Sequence, residues 1–311
     1  MRSSRALSAL AGVAALAVCG AGCATRAADD GDPDKVTAVA GFYPLHYLAT
    51  RVGGPAVAVT DLAQPGAEPH DMELTPPQLD TVRAAELVVY VRGFQPAVDD
   101  AVGARGDRLF DLAAEVPLAP LAHDDHAAGQ EAAGGGDHAD AGLDPHLWLD
   151  PTRYALAGEK LAARLGAVDP PRAATYTANA AAFRAELDRL DGEFRTGLAT
   201  CARRDVITNH AAFGYLTRRY RLRQVPISGL SPDEEPTPRR LAEVAALAKE
   251  RKATTIFFET LVSPKVAETV AAQAGARTAV LDPVEGVGEG EDYLSVMRRN
   301  LAALRAALDC R

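Results

Sequence analysis

The stretch DPPRAATYTANAAAFRAELDRLDGEFRTGL, residues 169–198, determines how the rest of this 311-residue chain is organised. Its apolar side chains recur at spacings of three and four: Tyr176, Ala180, Phe183, Leu187, Leu190, Phe194 and Leu198. That spacing is typical of a helix with one buried face. Asp169 is a suitable N-cap, and Pro170 and Pro171 fit a first turn, where missing amide donors cost little. At 1.5 Å per residue, about 28 residues extend roughly 42 Å, long enough to run beside two domains.

Short apolar runs alternate with helical stretches on both sides of this helix. The predicted strands are residues 36–40, 57–62, 87–91, 205–209, 224–227, 254–258 and 278–281, and the predicted helices are residues 44–52, 76–85, 96–102, 211–220, 238–251, 264–274 and 292–308. Such alternation favours parallel sheets with helices on both faces. We therefore predict an α/β fold of two doubly wound lobes, residues 35–168 and 200–311, each with its own core. A long backbone helix over residues 169–199 joins them.

The N-terminus has the features of an export signal. Arg2 and Arg5 precede an almost entirely apolar run over residues 6–18, which is too short to span a bilayer comfortably. A cysteine, Cys23, follows small residues, as at a bacterial lipoprotein cleavage site. We predict a signal peptide over residues 1–22, a lipidated Cys23 that anchors the protein outside the cytoplasm, and a polar tether over residues 23–34. The alternative is a periplasmic or secreted protein without a lipid.

Cysteine content and charge indicate the compartment of the protein and the class of partner that it does not bind. Export and lipidation leave Cys201 and Cys310, an even pair that predicts one disulfide in an oxidising compartment. Two separate buried thiols are the alternative. The formal net charge of −9 becomes more negative once the leader is removed. Nucleic acid is therefore disfavoured as a partner, because there is no basic stripe to displace its counterions.

Four candidate metal ligands stand roughly seventy residues apart: His70, His146, His210 and Asp282. His210 and Asp282 directly follow predicted strands, and His70 lies on the loop that leaves another. Ligands in open α/β sheets bind outside the carboxyl ends of the strands, so the fold can bring these residues together between the lobes. Three imidazoles and a carboxylate suit Zn²⁺. Because the spacing is long, the metal is more plausible as cargo or catalyst than as a local structural ion.

Other polar residues near these four are candidates for supporting roles. Residues that can orient the ligand imidazoles are Asp71, Asp144, Asp150, Asn209 and Glu259. Glu68 is a possible competing ligand. Residues 123–142 are rich in Ala, Gly, His and Asp and cannot form a core, so we expect a mobile loop. Its histidines, His123, His126 and His138, are candidates for weak accessory metal binding; a merely solvated insertion is the alternative.

Several motifs, taken together and in order, point to a known family. They are GFYPL (residues 41–45), PGAEPHD (65–71), DPHLWLDP (144–151), NHAAFGY (209–215), GLSP (229–232), ETLVSPK (259–265) and LDP (281–283). They resemble the zinc-uptake solute-binding proteins of the ZnuA/TroA type (bacterial solute-binding protein family 9). The resemblance implies two lobes joined by a rigid helix, metal held in the cleft, and delivery to a membrane ABC permease. By motif position, the ligands it implies are His70, His146 and His210, with the fourth place on Asp282.

The third histidine favours zinc over manganese. Relatives specialised for manganese usually have a carboxylate where His210 stands, and oxygen ligands match the harder ion. We therefore expect a monomeric, non-enzymatic protein that captures Zn²⁺ for import. The alternatives are a manganese- or iron-specific importer component, a zinc-dependent hydrolase, and a surface adhesin. The hydrolase lacks support because there is no His-Glu-x-x-His helix, nucleophile elbow or glycine-rich nucleotide loop.

Overall fold

The computed structural model describes residues 34–103, 106–121 and 142–311. The predicted signal peptide, the lipidation site at Cys23 and the accessory histidines His123, His126 and His138 lie outside the described residues. None of the helices in the described parts of the chain has the length and hydrophobicity needed to cross a lipid bilayer.

The first lobe is built on a four-stranded parallel sheet in the order β2-β1-β3-β4. Its elements are β1 (Val36–Ala40), α1 (Tyr43–Gly53), β2 (Val57–Asp61), α2 (Pro76–Ala84), β3 (Leu87–Tyr90), α3 (Pro96–Val102), β4 (Leu109–Asp111), α4 (Leu112–Glu115) and α5 (Pro151–Val168). A small antiparallel pair, β5 (Ala119–Pro120) and β6 (Leu143–Asp144), precedes α5. Every residue of β3 is buried, as expected for a central strand covered on both faces.

The second lobe repeats this plan with a parallel sheet in the order β10-β9-β7-β8. Its elements are β7 (Asp205–Thr208), α7 (Gly214–Arg219), β8 (Arg223–Pro226), α8 (Pro238–Glu250), β9 (Thr255–Phe258), α9 (Lys265–Ala274), β10 (Arg277–Val280) and α10 (Tyr293–Leu308). The predicted α/β architecture with parallel sheets is confirmed. The three-residue strand β4 and the helix α4 had not been predicted.

The long helix between the lobes, α6, runs from Ala173 to Gly197. Every apolar side chain of its predicted stripe is buried. The helix packs against α1 and α5 of the first lobe and α10 of the second. Its start differs from the prediction: α5 ends at Val168 with Asp169 as its C-cap, and a 3₁₀ turn, Pro170–Arg172, comes before α6. Asp169 instead accepts hydrogen bonds from Arg172 (2.8 Å) and the Tyr176 hydroxyl (2.6 Å).

The largest hydrophobic core is continuous through both lobes. Leu48 of α1, Phe183 of α6 and Met297 of α10 belong to one cluster of buried residues, although the sequence predicted separate cores. Two smaller clusters lie on the other faces of the two sheets. Since α6 is packed into this common core along its length, the two lobes share a connection that resists bending.

The structure joins Cys201 and Cys310 in a disulfide across a sequence separation of 109 residues, as predicted. The bridge ties the segment after α6 to the end of α10. For a loop of this length the chain-entropy model gives a stabilisation on the order of 4 kcal/mol.

Candidate metal centre

The three predicted histidines converge in the cleft between the lobes. His70 lies on the loop between β2 and α2, His146 follows β6, and His210 follows β7. Their ring centroids are 5.4–5.6 Å apart. His146 and His210 are fully buried and His70 is 7% exposed.

The carboxylate that completes this group belongs to Glu285, which is also buried. Its Oε1 atom lies 3.3 Å from Nε2 of His70, 3.4 Å from Nε2 of His146 and 3.9 Å from Nε2 of His210. One donor atom from each of the four residues fits within a mutual distance of 4.8 Å. We call these four residues the buried centre.

The structure departs from the sequence expectation at Asp282. Its carboxylate accepts hydrogen bonds from the backbone N–H of Val284 in its own loop and from the Thr260 hydroxyl on the loop after β9, both at 2.8 Å. Asp282 and Glu285 lie on the same loop after β10, and the turn between them presents the later acid to the histidines. The sequence offered one signal for Glu285, a carboxylate set among the apolar residues Val284 and Val287.

Two of the histidines have a carboxylate partner on the ring nitrogen that faces away from the centre. Nδ1 of His146 lies 2.9 Å from Asp144 Oδ1, and Nδ1 of His210 lies 2.7 Å from Glu259 Oε1. A carboxylate accepts from an Nδ1–H, so these contacts leave Nε2 as the ring nitrogen that can coordinate a metal in the centre. Two of the five candidates for a supporting role, Asp144 and Glu259, thus lie against the outer ring nitrogens of His146 and His210.

The close approach of Asp144 depends on a glycine in the second lobe. A Cβ atom at Gly214, the first residue of α7, would collide with Asp144 Oδ2. The backbone carbonyl of Asp144 also accepts a 2.9 Å hydrogen bond from the Tyr215 hydroxyl. Gly214 belongs to the NHAAFGY motif (residues 209–215), but its role in admitting the partner of His146 becomes visible only when both lobes are folded together.

The remaining predicted supporting residues lie elsewhere. Asp150 caps α5 by accepting from Thr152 N at 2.9 Å, and it forms an ion pair with Arg219. Asp71 is exposed and contacts Ser231 across the cleft at 3.4 Å. Asn209 is buried, and its side-chain oxygen makes no hydrogen bond to any described residue. None of these three contacts a histidine ring in the described structure.

Glu68, the possible competing ligand, lies at the edge of the buried centre. Its carboxylate accepts from the backbone N–H of His70 at 3.0 Å, and its Oε1 is 3.9 Å from Nε2 of the same residue. Burial raises the pKa of Glu68 to about 7, against the lowering effect of its backbone hydrogen bonds. Glu68 therefore both fixes the backbone of His70 and lies close to the centre.

Burial and the contacts among its residues shift the pKa values in the buried centre in different directions. Burial by itself raises the pKa of Glu285, yet His146 and His70 hold that pKa well below its usual range. Burial lowers the pKa of His146, but Asp144 and Glu285 outweigh it and raise the pKa to about 9. His70 follows burial, which lowers its pKa despite the neighbouring Glu285.

The donor set and spacing fit a four-coordinate zinc ion. Donors at about 2.0–2.1 Å from a tetrahedral ion lie roughly 3.3 Å from one another. The distances from Glu285 to His70 and His146 match this separation, and the distance to His210 is somewhat longer. The Nε2 atoms of His146 and His210 are buried without a hydrogen-bond partner among the described residues. Buried nitrogen atoms of this kind are costly unless a ligand satisfies them.

Comparison with known proteins assigns the fold to a family. A family model described as "Zinc-uptake complex component A periplasmic" (ZnuA) matches residues 38–307. The chain belongs to the ZnuA family. A relative named "High-affinity zinc uptake system protein ZnuA", from Bacillus subtilis, is 33% identical over 303 residues, covering 94% of this chain and 93% of the relative.

Solved structures of metal-binding proteins have a fold similar to that of this chain. The Zn(II)-bound AdcA of Streptococcus pneumoniae is 33% identical with a TM-score of 0.73; the match covers 88% of this chain and 58% of AdcA. The laminin-binding protein Lmb of Streptococcus agalactiae, described as bifunctional in adhesion and metal transport, is 30% identical with a TM-score of 0.77. That match covers 88% of this chain and 99% of Lmb. The ZnuA-family fold is thus shared along nearly the whole described chain.

Proposed function

We propose that this protein captures Zn²⁺ outside the cytoplasm and delivers it to an ABC permease for high-affinity zinc uptake. The observation that carries the proposal is the convergence of three imidazoles and one carboxylate, all buried, from four distant parts of the chain. The proposed ligands are His70, His146, His210 and Glu285. The family name and the B. subtilis relative, whose name specifies zinc uptake, support the same metal and the same role.

Buried charge gives a physical reason for a divalent cation. The carboxylates of Asp144, Glu259 and Glu285 all lie within the buried shell around the histidines. Buried carboxylates are stable when they are paired or when they contribute to a metal site. A bound Zn²⁺ offsets two of these negative charges and satisfies the unpartnered imidazole nitrogens.

The donor set also favours zinc over manganese. Imidazole nitrogen suits Zn²⁺, whereas Mn²⁺ prefers carboxylate, carbonyl and water oxygens. Glu285 is the single oxygen donor in the buried centre. We therefore infer selectivity for zinc and do not favour a manganese- or iron-specific importer.

Capture fits the centre better than catalysis does. Four protein donors close a tetrahedral coordination sphere, whereas catalytic zinc sites keep one position for water or substrate. Two outer carboxylates, Asp144 and Glu259, are engaged with imidazole N–H groups, and a third, Glu68, accepts from the backbone N–H of His70. These contacts support a non-enzymatic binding protein over a hydrolase.

The finer features follow from the sequence and the relatives. We propose that Cys23 carries a lipid that holds the protein at the cell membrane, in keeping with a relative named as the zinc-binding lipoprotein AdcA. We propose a monomer whose lobes, residues 35–168 and 200–311, are linked by residues 169–199. The continuous core supports a stiff link, so metal release on docking to the permease would involve a modest lobe or loop movement.

A competition titration tests the proposed function directly. The mature, metal-free protein is titrated with Zn²⁺ and Mn²⁺ against a chromophoric chelator of known affinity. We expect one tight zinc site, weaker manganese binding, and loss of tight binding in H70A/H210A, because two of four donors are removed. The matched control is H46Q, which removes an imidazole outside the centre and should bind zinc as the wild type does. Preferential manganese binding or wild-type affinity in H70A/H210A would contradict the proposal.

A further inference from the structure

The loop that carries Glu285 contains a residue in a conformation rarely taken by its type. Val284 has a φ of 61°, in the left-handed region. A β-branched side chain is a genuine outlier there, because its Cβ substituents crowd the backbone. Such a conformation persists only where the surroundings over-determine it, and strained residues cluster at ligand sites.

Asp282 holds the loop from within the second lobe. Its Oδ1 accepts from the Val284 backbone N–H at 2.8 Å, and its Oδ2 accepts from the Thr260 hydroxyl at 2.8 Å. Asn300 of α10 fixes the backbone of Asp282 in both directions, accepting from its N–H at 2.9 Å and donating to its carbonyl at 2.6 Å. Both oxygens of the Asp282 carboxylate are thus engaged, Oδ1 within the loop after β10 and Oδ2 with Thr260 on the loop after β9.

Trp148 holds the same loop from the first lobe. Its indole N–H donates to the carbonyl of Pro283 at 2.8 Å. The indole is fully buried and its ring centroid lies 5.2 Å from that of His146. Trp148 therefore lies between a histidine of the centre and the loop that presents the carboxylate. Tyr293 of α10 in turn donates to the Trp148 carbonyl at 2.6 Å.

We propose that Asp282 is a positioning residue for Glu285. Together with Trp148, it fixes the turn at Val284 and so places the Glu285 carboxylate against the three histidines. The loop is thereby defined by both lobes, and the fourth ligand is in place when the lobes are correctly apposed. This inference rests on the proposed function, since the position of Glu285 matters only if the centre captures a metal.

The test compares three substitutions in the mature protein: D282N, D282A and E285Q. Asparagine keeps the Oδ1 acceptor for Val284, and the Thr260 hydroxyl can accept from the new amide as readily as it donates to the old carboxylate. We expect zinc affinity in D282N within about threefold of wild type and a loss of about 10–100-fold in D282A, the range for groups that orient metal ligands. E285Q, which changes a donor atom, should lose more than D282A.

The visible spectrum of bound Co²⁺ supplies a readout that general destabilisation would not move. It reports the number and geometry of the ligands. We expect D282N to reproduce the wild-type spectrum and D282A to shift it toward that of E285Q. If D282A does not fold, T260V takes its place, since it removes the donor to Asp282 Oδ2 and should lower zinc affinity several-fold while D282N stays near wild type.

If D282N loses as much affinity as E285Q and changes the Co²⁺ spectrum, then Asp282 is itself a ligand and the inference is overturned. Wild-type affinity and spectrum in D282A, or in T260V where D282A does not fold, would also overturn it if E285Q is impaired, and would leave the proposed function intact. Absence of a tight zinc site in the wild-type protein would overturn the proposed function and this inference with it.

Discussion

Two groups of side chains in the cleft have the spacing of a metal site, and they differ in almost everything else. One is the buried centre; the other is a trio of acids at the mouth of the cleft, Glu68, Asp71 and Asp233, which we call the rim. In both groups the donor atoms lie within 4.8 Å of one another. All four residues of the centre are buried, whereas Asp71 and Asp233 are exposed and Glu68 is intermediate between the two.

The difference shows that spacing alone does not make a site. Donors in the centre are fixed by buried partners, as with Glu259 behind His210, and two imidazole nitrogens face inward without a partner. In the rim, the exposed Asp71 carboxylate accepts a long, 3.4 Å hydrogen bond from the Ser231 hydroxyl. Exposed carboxylates are well hydrated and flexible, so ordering them around an ion costs conformational entropy. In the centre the side chains are already ordered by folding, so metal binding does not carry that cost again.

The sharpest way to test this contrast is to remove the support behind the histidines and leave the donors untouched. We expect E259Q and D144N each to lower zinc affinity by about 10–100-fold, because the amide is a weaker acceptor for the Nδ1–H and removes a negative charge from the shell. The measurement is the chelator competition used above, together with the thermal midpoint of the metal-free proteins.

The matched control for these variants is D150N. Asp150 was expected to support His146, but it caps α5, and asparagine is an equally good cap. Its zinc affinity should equal that of the wild type. Comparable losses in D150N and E259Q would mean that the outer carboxylates act through overall charge and not through the imidazoles they contact.

The second test uses the proton that the centre holds when it is metal-free. His146 has a pKa raised to about 9 by Asp144 and Glu285, so zinc must displace its proton below that pH. Zinc affinity should therefore rise by about tenfold per pH unit from pH 7 toward 9, as expected when one proton is released. The competition titration at several pH values, with proton release from calorimetry in two buffers, measures this.

The stability of the metal-free protein should change in the opposite direction. A raised folded-state pKa stabilises the fold below the ordinary value of 6.5, and that contribution is lost as pH rises toward 9. The thermal midpoint without metal should accordingly fall across this window, while the increment on adding zinc grows. D144N, which lacks the carboxylate that raises the pKa, should show a flatter dependence. An affinity that does not change between pH 7 and 9 would contradict the proton assignment.

The sequence predicted those residues of the centre that come soon after a strand. His210 comes two residues after the end of β7, so its position at the carboxyl edge of a parallel sheet could be predicted from the pattern of apolar residues. The choice between Asp282 and Glu285 could not, because it depends on the turn at Val284 and on a contact from Trp148 in the other lobe. An Asp-Pro pair after a strand looks like a ligand position as readily as like a turn.

The fold was predictable to a similar degree and for a similar reason. The periodic stripe of α6 and the apolar strands depend on local patterns, so their predicted ends differ from the observed ones by a few residues at most. The start of α6 was misplaced because Asp169 bonds to Tyr176 and Arg172 and does not cap the helix. The single core that runs through both lobes arises from contacts between distant segments, such as α1 with α6.

The rim provides the smallest expected effect and the most direct comparison with the centre. We expect D71N/D233N to bind zinc within about twofold of wild type at physiological salt, because exposed charges are screened and contribute little to equilibrium affinity. At low salt the double variant should bind more slowly, since two negative charges that attract the cation are removed. Stopped-flow binding at two salt concentrations, beside the equilibrium titration, separates the effect on the rate from the effect on affinity.

The control is D188N/E250Q, which makes the same charge change at exposed acids on α6 and α8. An equilibrium loss of about tenfold or more in D71N/D233N alone would make the rim part of the site, and burial would then no longer distinguish the two groups.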